Sequence, residues 1–589
     1  MRKMTLLALL LLSWGAAQAV TAYKKWVTLP QSDGTTITVR LMGDEYSHYY
    51  ITEDSTIMRR LDNGDFEALS TDEIEKARLN RASRLSNAEE RRRERTSSAK
   101  SKARHSSSYT GTKRGLVIMM EFTDQKFRDD DAYDDWNDIL NGDGYTGTDC
   151  PSYTGVKGSV SDYFTDQSDG DFNLQFDIFG PFTSENSYAY YGQNDPHDDD
   201  YIDINMCYLV TEAVDAIKDE VDFSDYDWDG DGEVDQVFIL YAGEGENVTG
   251  NSSDLIWPHE SWLQYYSEYY RTGGYEVEDG ILINEYACGA EILYNNWLSG
   301  LGTFCHEFSH CLGLPDFYTY YGIDTFGEYD IMDEGSYNDY GWCPPNYTAY
   351  ERAFCGWHTP VELTEATTVS DMEPLADGGK SYLVRNDAED EDVDEYYLLE
   401  NRQLTGWDSA IPADGLLITH YDYDETIWYQ NTINDDADHP RAYIIPANNN
   451  TNTPAGFPYP YVSAIYFGQK VGNDSLTDNS TPAAIVYNKP ANSALSLTYT
   501  YYMGKPITNI THEDGLVGFD FMGGSTTGIR QISATATDDS SLSRLYGNAV
   551  DVYDNSGRLR RHVDDFQGTD ALCLPAGIYI IGGVKVIIK

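Results

Sequence analysis

The chain has 589 residues, more than one hydrophobic core accommodates, since single cores stop growing near ~250–300 residues, so several domains are expected. Hydrophobic residues at 41% and aromatics at 13% exclude a disordered or collagen-like chain, and a mean hydropathy of −0.51 with one long apolar run excludes a polytopic membrane protein. The net charge of −58 excludes a nucleic-acid binder, and it is uneven: residues 1–114 hold 20 Lys and Arg against 14 Asp and Glu, a net of +6, and the remainder holds −64.

In chain order, Arg2 and Lys3, the apolar run Leu6 to Leu12 and Ala17-Gln18-Ala19 have the pattern of a secretory signal peptide over residues 1–19, with a mature start near Val20. The expected location is therefore secreted or cell-surface. Residues 35–51, TTITVRLMGDEYSHYYI, alternate like strands around a Gly-Asp turn and predict a small β-rich pro-region over 20–108. Its last part, residues 76–108, is rich in Arg, Lys and Ser and predicts an exposed helix or linker open to proteolysis.

The apolar run GLVIMMEF from Gly115 and the run QVFILYA from Gln236 predict buried strands, and a helix is expected from about Trp297 through Leu312. Strands alternating with helices predict an α/β or α+β domain over 109–360. Short alternating segments such as SYLVR, EYYLLENR and GLLITHY predict an all-β, sandwich-like domain over 361–525. A short β unit over 526–589 closes the chain, with a hairpin turn expected at Asn555-Ser556-Gly557.

The decisive stretch is His306-Glu307-Phe308-Ser309-His310-Cys311-Leu312-Gly313-Leu314-Pro315-Asp316. On a helix, His306 and His310 share one face and can bind one zinc ion, with Glu307 beside it as general base. Gly313 can break the helix with positive φ and turn the chain back, which makes Asp316 the expected third ligand and leaves a fourth position for water. Downstream, Met332 beside a Gly-containing turn is the candidate apolar floor under the zinc, the Met-turn of metzincin peptidases. Tyr337 is a candidate transition-state stabiliser. His259-Glu260 cannot start a second zinc helix, because residue 263 is Leu; it reads as a structural or cleft-wall element.

Asp227, Asp229, Asp231 and Asp235 alternate around Gly232 like the start of a calcium loop, but the twelfth position is Phe238 instead of Glu. The expectation is a shortened calcium loop ahead of a strand; an acidic turn that binds nothing is the competing reading.

The block HEFSHCLGLPDFY resembles the HEFGHDLGLPDxY pattern of the immune inhibitor A-type secreted zinc metalloproteases. Asp162-Tyr163-Phe164, Ile256-Trp257-Pro258-His259 and Tyr397-Leu398-Leu399-Glu400-Asn401-Arg402 support the resemblance, which extends over roughly residues 110–525. It implies zinc on His306, His310 and Asp316 and water activation by Glu307. The C-terminal YDNSGRLRR and LPAGIYIIGGVKVIIK resemble the sorting domains of exported proteins of Bacteroidetes-type bacteria, implying engagement of a secretion machinery.

Together these readings predict a multidomain protein with a metzincin-like catalytic domain, a zinc endopeptidase made as a zymogen that acts on proteins or peptides. The alternative is a surface adhesin or glycan-binding protein with a vestigial protease core. No cysteine precedes Cys150, so a thiolate cannot hold the zinc in the zymogen; the pro-region is expected to act through another ligand, with Asp44, Glu45 and His48 as the candidate metal-directed groups, or by simple occlusion, and a plain strand turn at these residues is the competing reading.

Overall fold

The structure is a computed structural model. It describes most of residues 18–588; besides 1–17, the principal stretches outside the description are 75–108, 195–201, 249–253, 320–324, 450–472, 492–499, 525–546 and 568–576. The leader before Gln18, the basic linker and the turn at Asn555-Ser556-Gly557 therefore lie outside the described residues.

The central sheet is built from β1 (Gln18–Ala19), β2 (Gly111–Glu121), β3 (Phe172–Thr183), β4 (Val237–Glu244), β5 (His259–Trp262), β6 (Glu285–Tyr294) and β7 (Trp297–Leu298), in the order β1-β5-β6-β4-β2-β3 with β7 paired to β6. Strands β6, β4, β2 and β3 run parallel, and β5 joins β6 antiparallel. Parallel strands need both faces covered, which explains the unbroken apolar runs of β2 and β4. Val117, Met119, Phe238 and Leu240 face one core with helices α1 (Ala132–Asn141), α2 (Val160–Gln167) and α4 (Gly302–Cys311). Leu116, Ile118, Val237 and Ile239 face the other, with α3 (Met206–Ile217).

The helix expected from Trp297 begins only at Gly302, because Trp297 and Leu298 turn back on β6 as β7 through a hairpin at Asn295-Asn296. Both asparagines have positive φ, 51° and 61°, as a tight hairpin turn requires.

Ahead of this unit, residues 27–68 form a five-stranded antiparallel meander whose core, Val39, Leu41, Tyr50, Met58 and Phe66, packs on Trp257. After it, a five-stranded sheet over residues 361–444 faces a three-stranded sheet formed by Thr367–Met372, Ile507–Glu513 and Leu516–Phe521. Within the strand Asp394–Arg402, Tyr397 and Leu399 join the core between these two sheets, whereas Tyr396 and Leu398 join the core beneath α4. One strand alternation thus ties the β-rich part to the α/β part. Arg402 reinforces the join: it bonds both oxygens of Asp408 and the carbonyl of Asn346, while Glu400 accepts from Ala349 N. A final sheet contains Val550–Asp554, Leu559–Val563, Gly577–Ile581 and Val584–Ile588. Among the described residues no helix is long and apolar enough to cross a membrane.

Candidate metal centre and cleft

All ten residues of α4 are buried, so its polar side chains have to be satisfied by protein groups or an ion. His306 and His310 lie one turn apart on the same face with ring centroids 4.7 Å apart. Their Nδ1 atoms lie 2.6 Å from Ile331 O and 2.7 Å from Leu314 O. Because a carbonyl only accepts, each Nδ1 carries the proton and each Nε2 presents a lone pair.

The helix ends where Gly313 takes φ +89°; a Cβ there would meet nothing closer than 3.5 Å, so it is the backbone conformation rather than space that calls for glycine. The reversed chain brings Asp316 Oδ1 to 3.3 Å from both Nε2 atoms, which are 3.1 Å from each other. Three acceptors crowded this closely in a dry site repel unless a cation sits among them. The spacing suits ligand distances of roughly 2.0–2.2 Å, and two imidazoles with a carboxylate are an ordinary zinc donor set. Asn431 grips Asp316 twice, donating from Nδ2 to Oδ2 at 2.7 Å and accepting from Asp316 N at 2.7 Å.

Glu307 is fully buried, and burial pushes its carboxyl well up despite a hydrogen bond from a backbone amide; the carboxylates of Asp316, Glu45 and Glu260 add to the rise. That amide belongs to Val20, whose N lies 2.8 Å from Glu307 Oε1. Residues 18–25 run through the cleft. Gln18 and Ala19 pair antiparallel with Glu260 and His259 on the edge strand β5. Trp257 Nε1 donates to Val20 O at 2.8 Å, Tyr337 Oη donates to Thr21 O, and Tyr23 N donates to Asn247 O at 2.8 Å. Ala22 N bonds Gly43 O, so the meander clamps the inserted strand from outside.

The other expected residues fall as follows. Met332 is wholly buried directly after Ile331, the residue that receives His306, and its carbonyl accepts from Phe317 N. Tyr337 receives Asn247 Nδ2 at 2.9 Å and reaches the carbonyl of Thr21. His259 and Glu260 stand on the cleft-wall strand. Asp44 and Glu45 are buried, with the Glu45 carboxylate close enough to act on Glu307, and His48 stacks on Trp257 at 5.2 Å. The inserted segment meets the cleft through main-chain bonds on β5, Trp257, Tyr337 and Asn247. Trp257 and Asn247 carry no metal-ligand or nucleophile pattern, and sequence reasoning did not assign them these contacts.

Asp227, Asp229 and Asp231 bring carboxylate oxygens within 4.8 Å of one another. Asp235 instead turns inward to accept from Trp228 N.

Comparison with known proteins agrees with this geometry. Residues 109–357 match the family model of the immune inhibitor A peptidase M6 catalytic domain. Two relatives, the pre-pro-metalloprotease PrtV of Vibrio cholerae serotype O1 strain M66-2 and that of strain ATCC 39315 / El Tor Inaba N16961, are each 26% identical over 266 residues. The alignment covers 38% of this chain and 27% of each relative, so the chain spans about a quarter of the length of those proteins. The metal-directed helix lies within the matched stretch, so the part of the chain that is similar to the immune inhibitor A peptidase M6 catalytic domain also holds the candidate metal centre, and both support a metalloprotease.

Proposed function

We propose that the protein is an exported zinc endopeptidase made as a zymogen. The observation that carries this reading is the contact of 2.8 Å between Val20 N and Glu307 Oε1 beside the triangle of His306, His310 and Asp316. Zinc bound by those three residues would acidify a water molecule and polarise the scissile carbonyl. Glu307 takes the water's proton and returns it to the leaving amine, a transfer that requires the hydrogen-bond reach it has to Val20 N. Strand β5 aligns the main chain of the substrate, and Trp257 and Tyr337 hold the two carbonyls that follow. Tyr337 is thus a positioning group in this arrangement, because it holds the carbonyl of Thr21, the residue after Val20. Met332 floors the site.

The same contacts support latency, since residues 20–25 stay in the cleft that a substrate needs once the leader is gone. Cleavage of a leader after Ala19 leaves Val20 as the new terminus with its nitrogen beside Glu307. Residues 20–108 act as the pro-region, 109–360 as the catalytic domain and 361–525 as a β-rich support. Residues 526–589 act as a sorting domain, and the aspartates at 227, 229 and 231 form a calcium loop. The test is zinc analysis combined with casein hydrolysis. Stoichiometric zinc and chelator-sensitive hydrolysis after limited proteolysis are expected; stoichiometric zinc without hydrolysis in the processed protein overturns the reading.

A further inference from the structure

Beyond Thr21 the inserted strand meets a chemically specific surface. Lys24 Nζ pairs with Glu334 Oε1, with side chains only 9% and 19% exposed. Lys25 Nζ stands 3.9 Å from the ring centroid of Tyr294, with Trp297 at 5.7 Å and Tyr340 at 5.6 Å. Three rings around one ammonium form a cage whose π faces favour a cation over a neutral side chain of equal length.

The cage is built into the fold. Tyr294 and Trp297 flank the Asn295-Asn296 turn and face each other across the β6–β7 hairpin. Tyr340 packs edge-on against Trp297 at 5.3 Å and has φ +60°, an uncommon backbone state for a bulky residue. Its neighbours Asp339 and Gly341 also have positive φ. Asp339 holds this loop, accepting from Tyr153 N, Thr154 N and the hydroxyls of Ser152 and Thr154. A run of such conformations persists only where surrounding bonds impose it, and here it delivers Tyr340 to the cage. Glu334 stands on the same short turn as Tyr337, and this turn approaches α4 so closely that a Cβ on Gly302 would lie 1.9 Å from Ser336 O. The lysine contacts are therefore tied rigidly to the metal helix.

We propose that Tyr294, Trp297, Tyr340 and Glu334 form a lysine-binding subsite of the matured cleft. It selects peptides carrying lysine four and five residues beyond the residue that takes the place of Val20. The pro-region fills it with Lys24 and Lys25, and the net charge of −64 after residue 114 favours a cationic occupant in the same sense. The inference rests on the endopeptidase reading for its meaning in catalysis, but its binding half can be measured separately.

The experiment uses the zinc-loaded protein matured by limited trypsin treatment, with the trypsin removed. Fluorescence anisotropy compares labelled peptides VTAYKKW and VTAYQQW, and kcat/KM is measured on two fluorogenic substrates differing only at the same two positions. The lysine forms should bind and react roughly tenfold better, the scale of a desolvated cation–π contact with an ion pair. That ratio should fall towards one in Tyr294→Leu and in Glu334→Gln. Equal affinity of the two peptides for the wild-type protein, or binding by neither, overturns the subsite. Lysine-dependent binding without cleavage of either substrate upholds the subsite and overturns the endopeptidase reading. Cleavage of both substrates with equal affinity and equal kcat/KM overturns the subsite and leaves that reading standing.

Discussion

The backbone nitrogen of Val20 donates to Glu307 Oε1 across 2.8 Å, joining a buried residue of the inserted segment to the carboxylate that follows His306. In sequence the two residues are separated by 287 positions. In the mechanism proposed above, the nitrogen of Val20 stands where that of a leaving amine would receive its proton from Glu307.

Glu307→Ala should lower peptide hydrolysis by roughly 10²–10⁴-fold, the contribution of a positioned acid–base group, with zinc content unchanged. Assay of the purified, processed variant beside metal analysis checks this. Undiminished hydrolysis would remove Glu307 from the reaction.

Full-length protein should be poorly active, because residues 20–25 occupy the cleft and the meander holds them there from outside. Trimming by trypsin to a start between Ser108 and Gly115 should raise activity by at least about tenfold if the strand dissociates once the segment is cut. Tyr109, whose carbonyl accepts from Trp357 Nε1, would stay with the catalytic part after a cut at residue 108. Equal activity before and after trimming would make the pro-region a folding aid rather than an inhibitor.

Asn431→Ala should weaken zinc binding by roughly 10–100-fold, because a group that orients a ligand tunes the metal without touching it. Asn431 grips Asp316 from outside the matched stretch, through two bonds of 2.7 Å. Competition with a chromogenic chelator measures the change, and unaltered affinity would show that Gly313 and α4 suffice to place Asp316.

Calcium should raise the melting temperature of a metal-stripped sample through Asp227, Asp229 and Asp231, whose crowded carboxylates repel until a cation binds the folded form. The shift should be absent in Asp229→Asn with Asp231→Asn. An unchanged melting temperature in millimolar calcium would count against the loop.

His259 should make the fold sensitive to mild acid. Burial lowers its pKa from 6.5 to about 4, against the opposing bond to Trp257 O. The unfolded chain therefore takes up this proton first as pH falls. Its contribution is fully present above pH 6.5 and is lost between 6.5 and about 4, amounting to about 3 kcal/mol. Urea unfolding across that window should show a shallower pH slope for His259→Gln than for the wild type; identical slopes would rule the histidine out as the cause.

What the sequence determined by itself was local. The spacing of His306, Glu307 and His310 follows from the 3.6-residue period of any helix, and Gly313 announces the reversal because positive φ is cheap only for glycine. The unbroken apolar runs likewise announced the strands at Gly111–Glu121 and Val237–Glu244, since a strand buried on both faces writes its burial in consecutive residues. Tertiary structure decided what depends on distant segments meeting. Trp297 pairs with Tyr294 rather than starting the helix, because a turn of two asparagines lets β7 fold back on β6. Asn431 reaches Asp316 across 115 positions, and Val20 reaches Glu307 across 287. Such contacts are made by main-chain groups and amides that every chain possesses in quantity. Their residue types carry no sign of the task, and only the packing of the strand against β5 selects which ones perform it.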